Sequence, residues 1–379
     1  KNGGRLPRFS TPPSEPNQKM GKLQFSCTCV AAPYVVVYPP NTEVERSNMS
    51  CKGLCLMSGG LDSQLAVRVL QNAGAKVEAI TFTTPFFSAD AAKKAAGRLG
   101  VRLHVVDFTD DEIALIENPP HGFGGAMNPC IDCHATMIRR AGELMAHLGY
   151  EFVATGEVMG QRPMSQNKQS LGVVEKDSGL KGRLIRPMCA KLLEPTIPEL
   201  EGKIDREKLL DISGRGRERQ MALAAEFGIV DYPSPAGGYK LTEIGFGHRL
   251  KDLMEHEGLK DRRLVELLLI ARRFRLPDGS SVILGRDRSD NAVLQAAAEL
   301  GMVLAPVNVP GPTALIPSLK SAADLVLAKE LVCSYCRYDQ LVGDISLHIW
   351  GDGAPSEGDG IVSVPRPYER TKFKEYQIC

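Results

Sequence analysis

The sequence predicts an α/β fold: a parallel sheet with helices on both faces, followed by a smaller α+β C-terminal domain. Three observations lead there. Between residues 53 and 187, short apolar runs alternate with stretches of helical periodicity, the mark of successive βαβ units. The most unusual residues fall just after the apolar runs, where such sheets bind ligands. From about Leu264 the character changes to a turn-linked pair of strands and then a helix.

The elements follow in order. Gly53-Leu54-Cys55-Leu56 reads as a buried strand, and Leu61, Leu65, Val69 and Leu70 give the helix behind it. Lys76 to Phe82 is a strand, Ala89 to Leu99 a helix, and Val101 to Asp107 a strand. Ile131 to Leu148 is a long helix whose apolar face carries Met137, Ile138, Ala141, Leu144, Met145 and Leu148. Phe152 to Thr155 is a strand ending at Gly156, and Leu184 to Pro187 another. Helices and basic loops fill residues 189 to 262, including Ser213-Gly214-Arg215-Gly216-Arg217-Glu218-Arg219 before a helix through Phe227. Phe274 to Gly279 is a hairpin turn, Val282 to Gly285 a strand and Asn291 to Leu300 a helix. The expected divisions are an ATP-loop type domain over 49–200, a helical basic connector over 201–263, a small domain over 264–350 and a tail over 351–379.

Composition excludes several classes. The chain has 379 residues, 43% apolar and 24% charged, as in ordinary globular proteins. No apolar run is long enough to span a membrane. A net charge of +1 means that any RNA-binding surface must be a local patch. Ten cysteines are too sparse for a disulfide scaffold, and the pairs Cys130/Cys133 and Cys333/Cys336 suit a reducing compartment such as the cytoplasm. The first 48 residues are rich in Pro, Ser, Asn and Gly, with one short apolar run, Tyr34 to Tyr38. They are expected to be a disordered tail or an upstream extension of the reading frame, with the structured protein starting near Met49.

The chemistry concentrates in two motifs. Ser58-Gly59-Gly60-Leu61-Asp62-Ser63 joins a strand to a helix. Its glycines let backbone N–H groups close around an anion at the helix N-terminus. Ser58 and Ser63 add hydroxyls, and Asp62 beside a phosphate calls for a cation, so a pyrophosphate with Mg²⁺ is expected. A plain Ser/Gly turn is the bland alternative. Cys130-Ile131-Asp132-Cys133 opens the long helix after Asn128-Pro129. The helix dipole is expected to favour thiolate there. Such a pair can clamp a metal, form a disulfide or carry a persulfide; a closed metal site needs a third ligand, for which Cys189 is the better candidate and His134 the weaker. Two partly buried cysteines in a helix cap are the alternative. Cys333 and Cys336, at i and i+3, are expected to be packed.

Taken together, Ser58 to Ser63, Cys130 to Cys133, Thr155-Gly156-Glu157 with Gly160-Gln161 and Ser165-Gln166, and Ile185-Arg186-Pro187 resemble the catalytic domain of tRNA 4-thiouridine synthetases, over roughly residues 50 to 200. The first motif resembles the PP-loop of ATP pyrophosphatases. The resemblance implies a PP-loop, adenine nucleotide alpha hydrolase-like fold, ATP and Mg²⁺, and sulfur insertion into a tRNA uridine. It implies that Leu56, Ser58, Gly59, Gly60, Asp62 and Ser63 hold ATP, with Phe82, His134, Gly156 and Gln166 nearby. It assigns catalysis to Asp62, Cys130 and Cys133, and a metal, an iron–sulfur cluster or Zn²⁺, to Cys130, Cys133 and Cys189. Many relatives have Lys where this chain has His134. The residues before 50 are too few for the family's N-terminal RNA-binding domain, and no rhodanese-like segment is evident after 200.

Val282 to Asp287, Asp290-Asn291 and Val309 to Ala314 resemble instead the RNA-binding domain of NFACT proteins. The combination resembles a group labelled tRNA thiouridylases, in which the position of Tyr239 commonly holds Cys. The expected partners are tRNA and a sulfur donor, such as a cysteine desulfurase or free sulfide; a homodimer is one expected state. Arginines 215, 217 and 219, 262, 263, 272, 273 and 275, and 286 and 288 form basic clusters that suit RNA, or else a solvated surface. Two rival functions stay open: a PP-loop enzyme sulfurating or amidating a small molecule, and a non-catalytic RNA-binding protein with a relic nucleotide site.

Overall fold

Apolar residues alternate in sense along the first strands, so both faces of their sheet are buried. A computed structural model describes the backbone of residues 35–38, and residues 51–379 except 234–238, 340 and 355–359. The strands of the first sheet are β1 (Val35–Tyr38), β2 (Lys52–Leu56), β3 (Lys76–Thr83), β4 (Leu103–Asp107), β5 (Phe152–Ala154) and β6 (Leu184–Ile185), in spatial order β1-β4-β3-β2-β5-β6. Strands β2 to β6 are parallel, and β1 closes the β4 edge antiparallel, Val35 opposite Val106. Helices α1 (Leu61–Asn72), α2 (Asp90–Leu99), α3 (Thr109–Glu117), α4 (Cys130–Leu148) and α5 (Lys168–Ser178) connect them.

On one face Cys55, Ala79, Val105 and Ala154 pack with Leu65 and Val69 of α1 and Ala92, Ala95 and Ala96 of α2. On the other, Leu54, Ile80, Val106 and Val153 pack with Ile138, Ala141 and Met145 of α4 and Val174 of α5. The period of two along each strand sends neighbours to opposite helix layers. The order of connection reverses between β2 and β5, so the crevice expected to bind ligands lies beyond their carboxyl ends.

Helices α6 (Ile197–Leu200), α7 (Glu218–Glu226), α8 (Ile244–His256) and α9 (Arg262–Glu266) lead to a second sheet. It is antiparallel and holds β7 (Arg272–Arg275), β8 (Ser281–Leu284), β9 (Met302–Pro306), β10 (Ala314–Ile316), β11 (Ile345–Gly351), β12 (Ile361–Val364) and β13 (Gln377–Ile378), ordered β12-β11-β9-β10-β8-β7-β13. Helix α11 (Ala322–Ser334) covers one face through Leu331 and Val332, and α10 (Arg288–Ala296) the other through Leu294. Ser321 and Asp287 cap these helices with side-chain oxygens on free amides. Cys333 and Cys336 lie in this core, as expected.

Two expectations about the ends are corrected. Residues 35–38, expected within a loose tail, pair along β4, because their apolar run completes a sheet edge. Residues 351–379 are not a tail: β12 and β13 extend both edges of the second sheet, and Tyr368 and Phe373 are buried in its core. Residues 34–379 form one compact unit. The start expected near Met49 and residues 236–238 lie outside the described residues. Among the described residues no helix is long and apolar enough to cross a membrane.

Candidate active site

The loop between β2 and α1 is held open as a cradle. Met57 N–H continues the ladder to Ile80 O at 2.8 Å, and the chain then turns at Gly59, whose φ is +83°. A Cβ there would meet the backbone of Ala91 at 2.5 Å, so only glycine fits. Ser63 Oγ donates to Gly60 O at 2.8 Å, Ser58 Oγ lies 3.5 Å from it, and Gln64 Nε2 donates to Gly59 O at 2.9 Å. Asp62 takes one bond, from Gln161 Nε2 to Oδ2 at 3.0 Å; its Oδ1 is buried without a partner. An orphaned carboxylate oxygen at a helix N-terminus is the feature a bound cation would satisfy, so this site fits Mg²⁺. Beside Gly59 lies a cavity of about 230 Å³ with Lys94, Arg98 and Asp231 on its wall. Arg98 pairs with Asp231.

Gly156 brings the β5 end against the start of α1. A Cβ at Gly156 would lie 2.7 Å from Ser63 N and from the Asp62 carbonyl carbon. Glycine here permits close packing against the helix backbone. The next residue, Glu157, is buried, and its carboxylate takes bonds from Thr155 Oγ1 at 2.9 Å and Arg186 Nε at 2.8 Å; His134 Nδ1 lies 3.2 Å away. Burial pushes this carboxyl up, but Arg186 and then His134 outweigh it and hold it well below the usual carboxylate range. His134 therefore serves Glu157 in this structure. Gln166 is buried nearby, its Oε1 without a partner. Gly214 N–H donates to Met159 O at 2.8 Å, which brings the Gly/Arg stretch to this edge, and Arg217 Nε is buried there without a partner.

The cysteines open α4 on the same sheet edge but are not equivalent. Cys130 is half-buried, and Cys133 is 3% exposed. The expected thiolate character is corrected. Burial raises the Cys130 thiol, and burial together with Glu112 raises Cys133 further. Desolvation outweighs a dipole contribution of only about 0.3–1 kcal/mol. Cys133 Sγ lies 3.9 Å from Glu112 Oε1 and 4.0 Å from the Tyr239 hydroxyl, which donates to the same oxygen at 2.6 Å. Tyr239 thus packs beside Cys133 and shares Glu112 with it. Cys189 is buried elsewhere, 3.5 Å from Glu157 O, and burial pushes its thiol up to about 11. Among the described residues no three His, Cys, Asp or Glu side chains are placed to hold a metal. Cys130, Cys133 and Cys189 are thus not gathered into one group among the described residues.

The remaining expected residues divide. Leu56 ends β2, half-buried under the cradle. Phe82 is spent on the core, its ring edge-on to Phe108 at 5.4 Å. Of the basic clusters, Arg219, Arg262, Arg263, Arg275 and Arg286 pair with carboxylates, and Arg273 is fully buried. Sequence reading missed Glu112 and Lys94. Glu112 sits in an acidic run, Asp110-Asp111-Glu112, that reads as a solvated helix start, and nothing local marks it as buried.

Two parts of the chain match known families. Residues 48–192 match the family described as Thiamine biosynthesis protein (ThiI), and residues 271–350 match the NFACT protein RNA binding domain. A "Probable tRNA sulfurtransferase" of Caldanaerobacter subterraneus subsp. tengcongensis is 33% identical over 138 residues, 34% of this chain and 35% of that protein. One from Agathobacter rectalis is 30% identical over 167 residues, 41% of this chain and 39% of that protein. The chain spans about a third of the length of the curated relatives it matches. A solved 4-thiouridine synthetase–RNA complex with bound ATP is 21% identical, covering 47% of this chain and 52% of that one, with a TM-score of 0.31.

Proposed function

We propose that this protein is an ATP-dependent tRNA sulfurtransferase that adenylates a uridine carbonyl and replaces its oxygen with sulfur. The observation that carries the reading is the meeting, at one sheet edge, of an anion cradle with an orphaned Asp62 oxygen and a cysteine pair at the start of α4. Residues 48–192, which match the ThiI family model, include the Ser58 loop and the cysteine pair of this edge. ATP would lie with its phosphates against the amides of Ser58 to Ser63, and Gln161 steadies Asp62. Mg²⁺ held by Asp62 would supply charge neutralisation for the leaving pyrophosphate. The cavity beside Gly59, with Lys94 on its wall, is where pyrophosphate would leave.

The uracil oxygen attacks the α-phosphorus and pyrophosphate departs. Cys130, the more exposed thiol of the pair, is the better carrier of a persulfide. Its terminal sulfur attacks the activated carbon and AMP leaves with the oxygen. Cys133 then attacks the Cys130 sulfur, releasing the thiouridine and leaving a disulfide that an external thiol reduces. A cysteine desulfurase would pass the outer sulfur of its own persulfide to the Cys130 thiolate; free sulfide would instead attack the activated carbon directly and displace AMP, with no persulfide and no disulfide formed.

The test separates the two halves. Asp62→Ala should abolish tRNA-dependent pyrophosphate release in a folded protein. Cys130→Ser should keep pyrophosphate release and stop thiouridine formation, followed by mass spectrometry of digested tRNA. Full thiolation by Asp62→Ala would remove the mechanism; normal thiolation by Cys130→Ser would send the sulfur by another route.

A further inference from the structure

The second sheet carries a pocket that the reaction above does not use. Its volume is about 530 Å³, and five arginines, Arg272, Arg286, Arg288, Arg337 and Arg370, line it against one carboxylate, Asp287. That carboxylate is already engaged, accepting from the amides of Ser289 at 2.8 Å and Asp290 at 3.0 Å as the cap of α10. Arg286 is neutralised by Asp290 at 2.7 Å. The other four are not. Arg272 donates only to the carbonyl of Gly285 at 3.3 Å and lies 5.2 Å over the Tyr335 ring. Arg370 lies 3.9 Å over the same ring. The Arg288, Arg337 and Arg370 side chains have no hydrogen-bond or ion-pair partner among the described residues.

Elsewhere, Arg140, Arg186, Arg206, Arg262 and Arg275 are each matched to a carboxylate, while scattered arginines such as Arg68, Arg139 and Arg183 bond to neutral groups. Unpaired guanidiniums repel one another, so their convergence on one cavity costs stability unless an anion arrives. The form of the convergence also selects the anion. A phosphodiester track presents single charges spaced along a strand and is met by a stripe of cations. Four uncompensated guanidiniums around one concavity match a compact group with more than one charge and several acceptor oxygens, to which arginine binds in forked pairs. Tyr335 holds two of these forks in place through the face of its ring.

We propose that this pocket binds a phosphomonoester, as carried by the end of an RNA chain or by a free nucleotide, rather than an internal stretch of RNA backbone. The proposal does not rest on the thiolation reading, since the pocket shares no residue with the PP-loop edge.

The experiment uses the full chain and a short single-stranded RNA labelled at its 3′ end, bearing either a 5′-phosphate or a 5′-hydroxyl, with binding followed by fluorescence anisotropy at fixed salt. Uridine 5′-monophosphate and uridine serve as competitors. The 5′-phosphorylated RNA should bind about tenfold more tightly, the worth of one or two charge-assisted hydrogen bonds. Arg337→Ala, at an exposed side chain without partners, and Arg337→Ala with Arg370→Ala should remove that preference while leaving 5′-hydroxyl RNA little changed. If uridine monophosphate binds in a manner lost in the variants but the RNA ends are not distinguished, the phosphomonoester site stands and serves free nucleotides. Equal binding of both RNAs with no competition by uridine monophosphate overturns the proposal. So does a preference that survives in the double variant with its circular dichroism unchanged. The maximal rate of pyrophosphate release at saturating tRNA should be unchanged in the same variants, any loss appearing only in the tRNA concentration required, so failure here is separate from failure of the active-site reading.

Discussion

Cys133 and His134 are neighbours on α4, yet they look into opposite environments. Cys133 faces Glu112, which is 0% exposed and has no cation beside it; its company is the Tyr239 hydroxyl and the thiol. Burial pushes the Glu112 carboxyl up to about 7, and the Tyr239 hydrogen bond offsets this only in part. His134 faces Glu157, which is 5% exposed but tied to Arg186 and held ionised. Two carboxyls buried alike on one domain thus titrate in opposite directions, because one has a guanidinium in contact and the other does not. The Glu157 side is a fixed charge network bracing the ends of β5 and β6. The Glu112 side is a corner that changes charge near neutrality, behind the cysteine pair.

The largest test of this contrast is to break the fixed pair. Glu157→Gln leaves Arg186, 2% exposed, without its main counter-ion, and should cost about 3–5 kcal/mol in chemical denaturation. The depressed Glu157 pKa makes the wild-type contribution present above the unfolded carboxyl value and lost as pH falls toward the folded one. The variant should therefore lose most relative to wild type at pH 6–8 and least in strong acid. A loss under 1 kcal/mol at neutral pH would show that the pair does not brace the sheet.

The reverse sign is expected on the other side. Glu112→Gln keeps an acceptor for Tyr239 but removes an ionisable group whose pKa is raised from 4.5 to about 7. The native state then holds the proton longer than the unfolded state, so wild-type stability falls as pH rises through that window. The variant should gain on wild type between pH 4.5 and 8 by on the order of 3 kcal/mol. A difference that does not vary with pH would place the Glu112 carboxyl at its ordinary value. The smallest effect belongs to Tyr239→Phe, which removes one buried hydrogen bond and should cost about 1 kcal/mol. It should also move the Glu112 titration upward; an unchanged titration would mean the phenol does not bear on that carboxyl.

How much of this was legible can be argued residue by residue. The alternation of apolar runs and helical stretches placed β2 through β6 and α1, α2 and α4 within a residue or two of their observed bounds, because parallel strands buried on both faces are written as continuous apolar runs. The Ser58 to Ser63 cradle was legible because glycine and hydroxyl residues at a strand-to-helix turn leave few other structures open to the chain. At Gly156 the residue alone says that something comes close and not what; the structure adds the α1 backbone at Asp62 and Ser63. The thiolate character was expected for a related reason: a helix N-terminus can be read locally, but the burial that outweighs it, and the Glu112 charge that adds to it at Cys133, come from residues distant in sequence.

By itself, then, the order of residues determined the α/β architecture, the glycine-turned loop at Ser58 to Ser63 and the cysteine pair at the start of α4, all of which follow from local periodicity and backbone freedom. Only tertiary structure decided which charges are compensated. The arginine clusters at 262–275 and 286–288 look alike as sequence, yet Arg262 and Arg275 meet Asp107 and Asp252, whereas Arg288 meets no carboxylate among the described residues and joins the pocket with Arg337 and Arg370. A counter-ion more than a hundred positions away leaves no trace in the local pattern, and the Coulomb energy that sets a group's behaviour depends on separation in space.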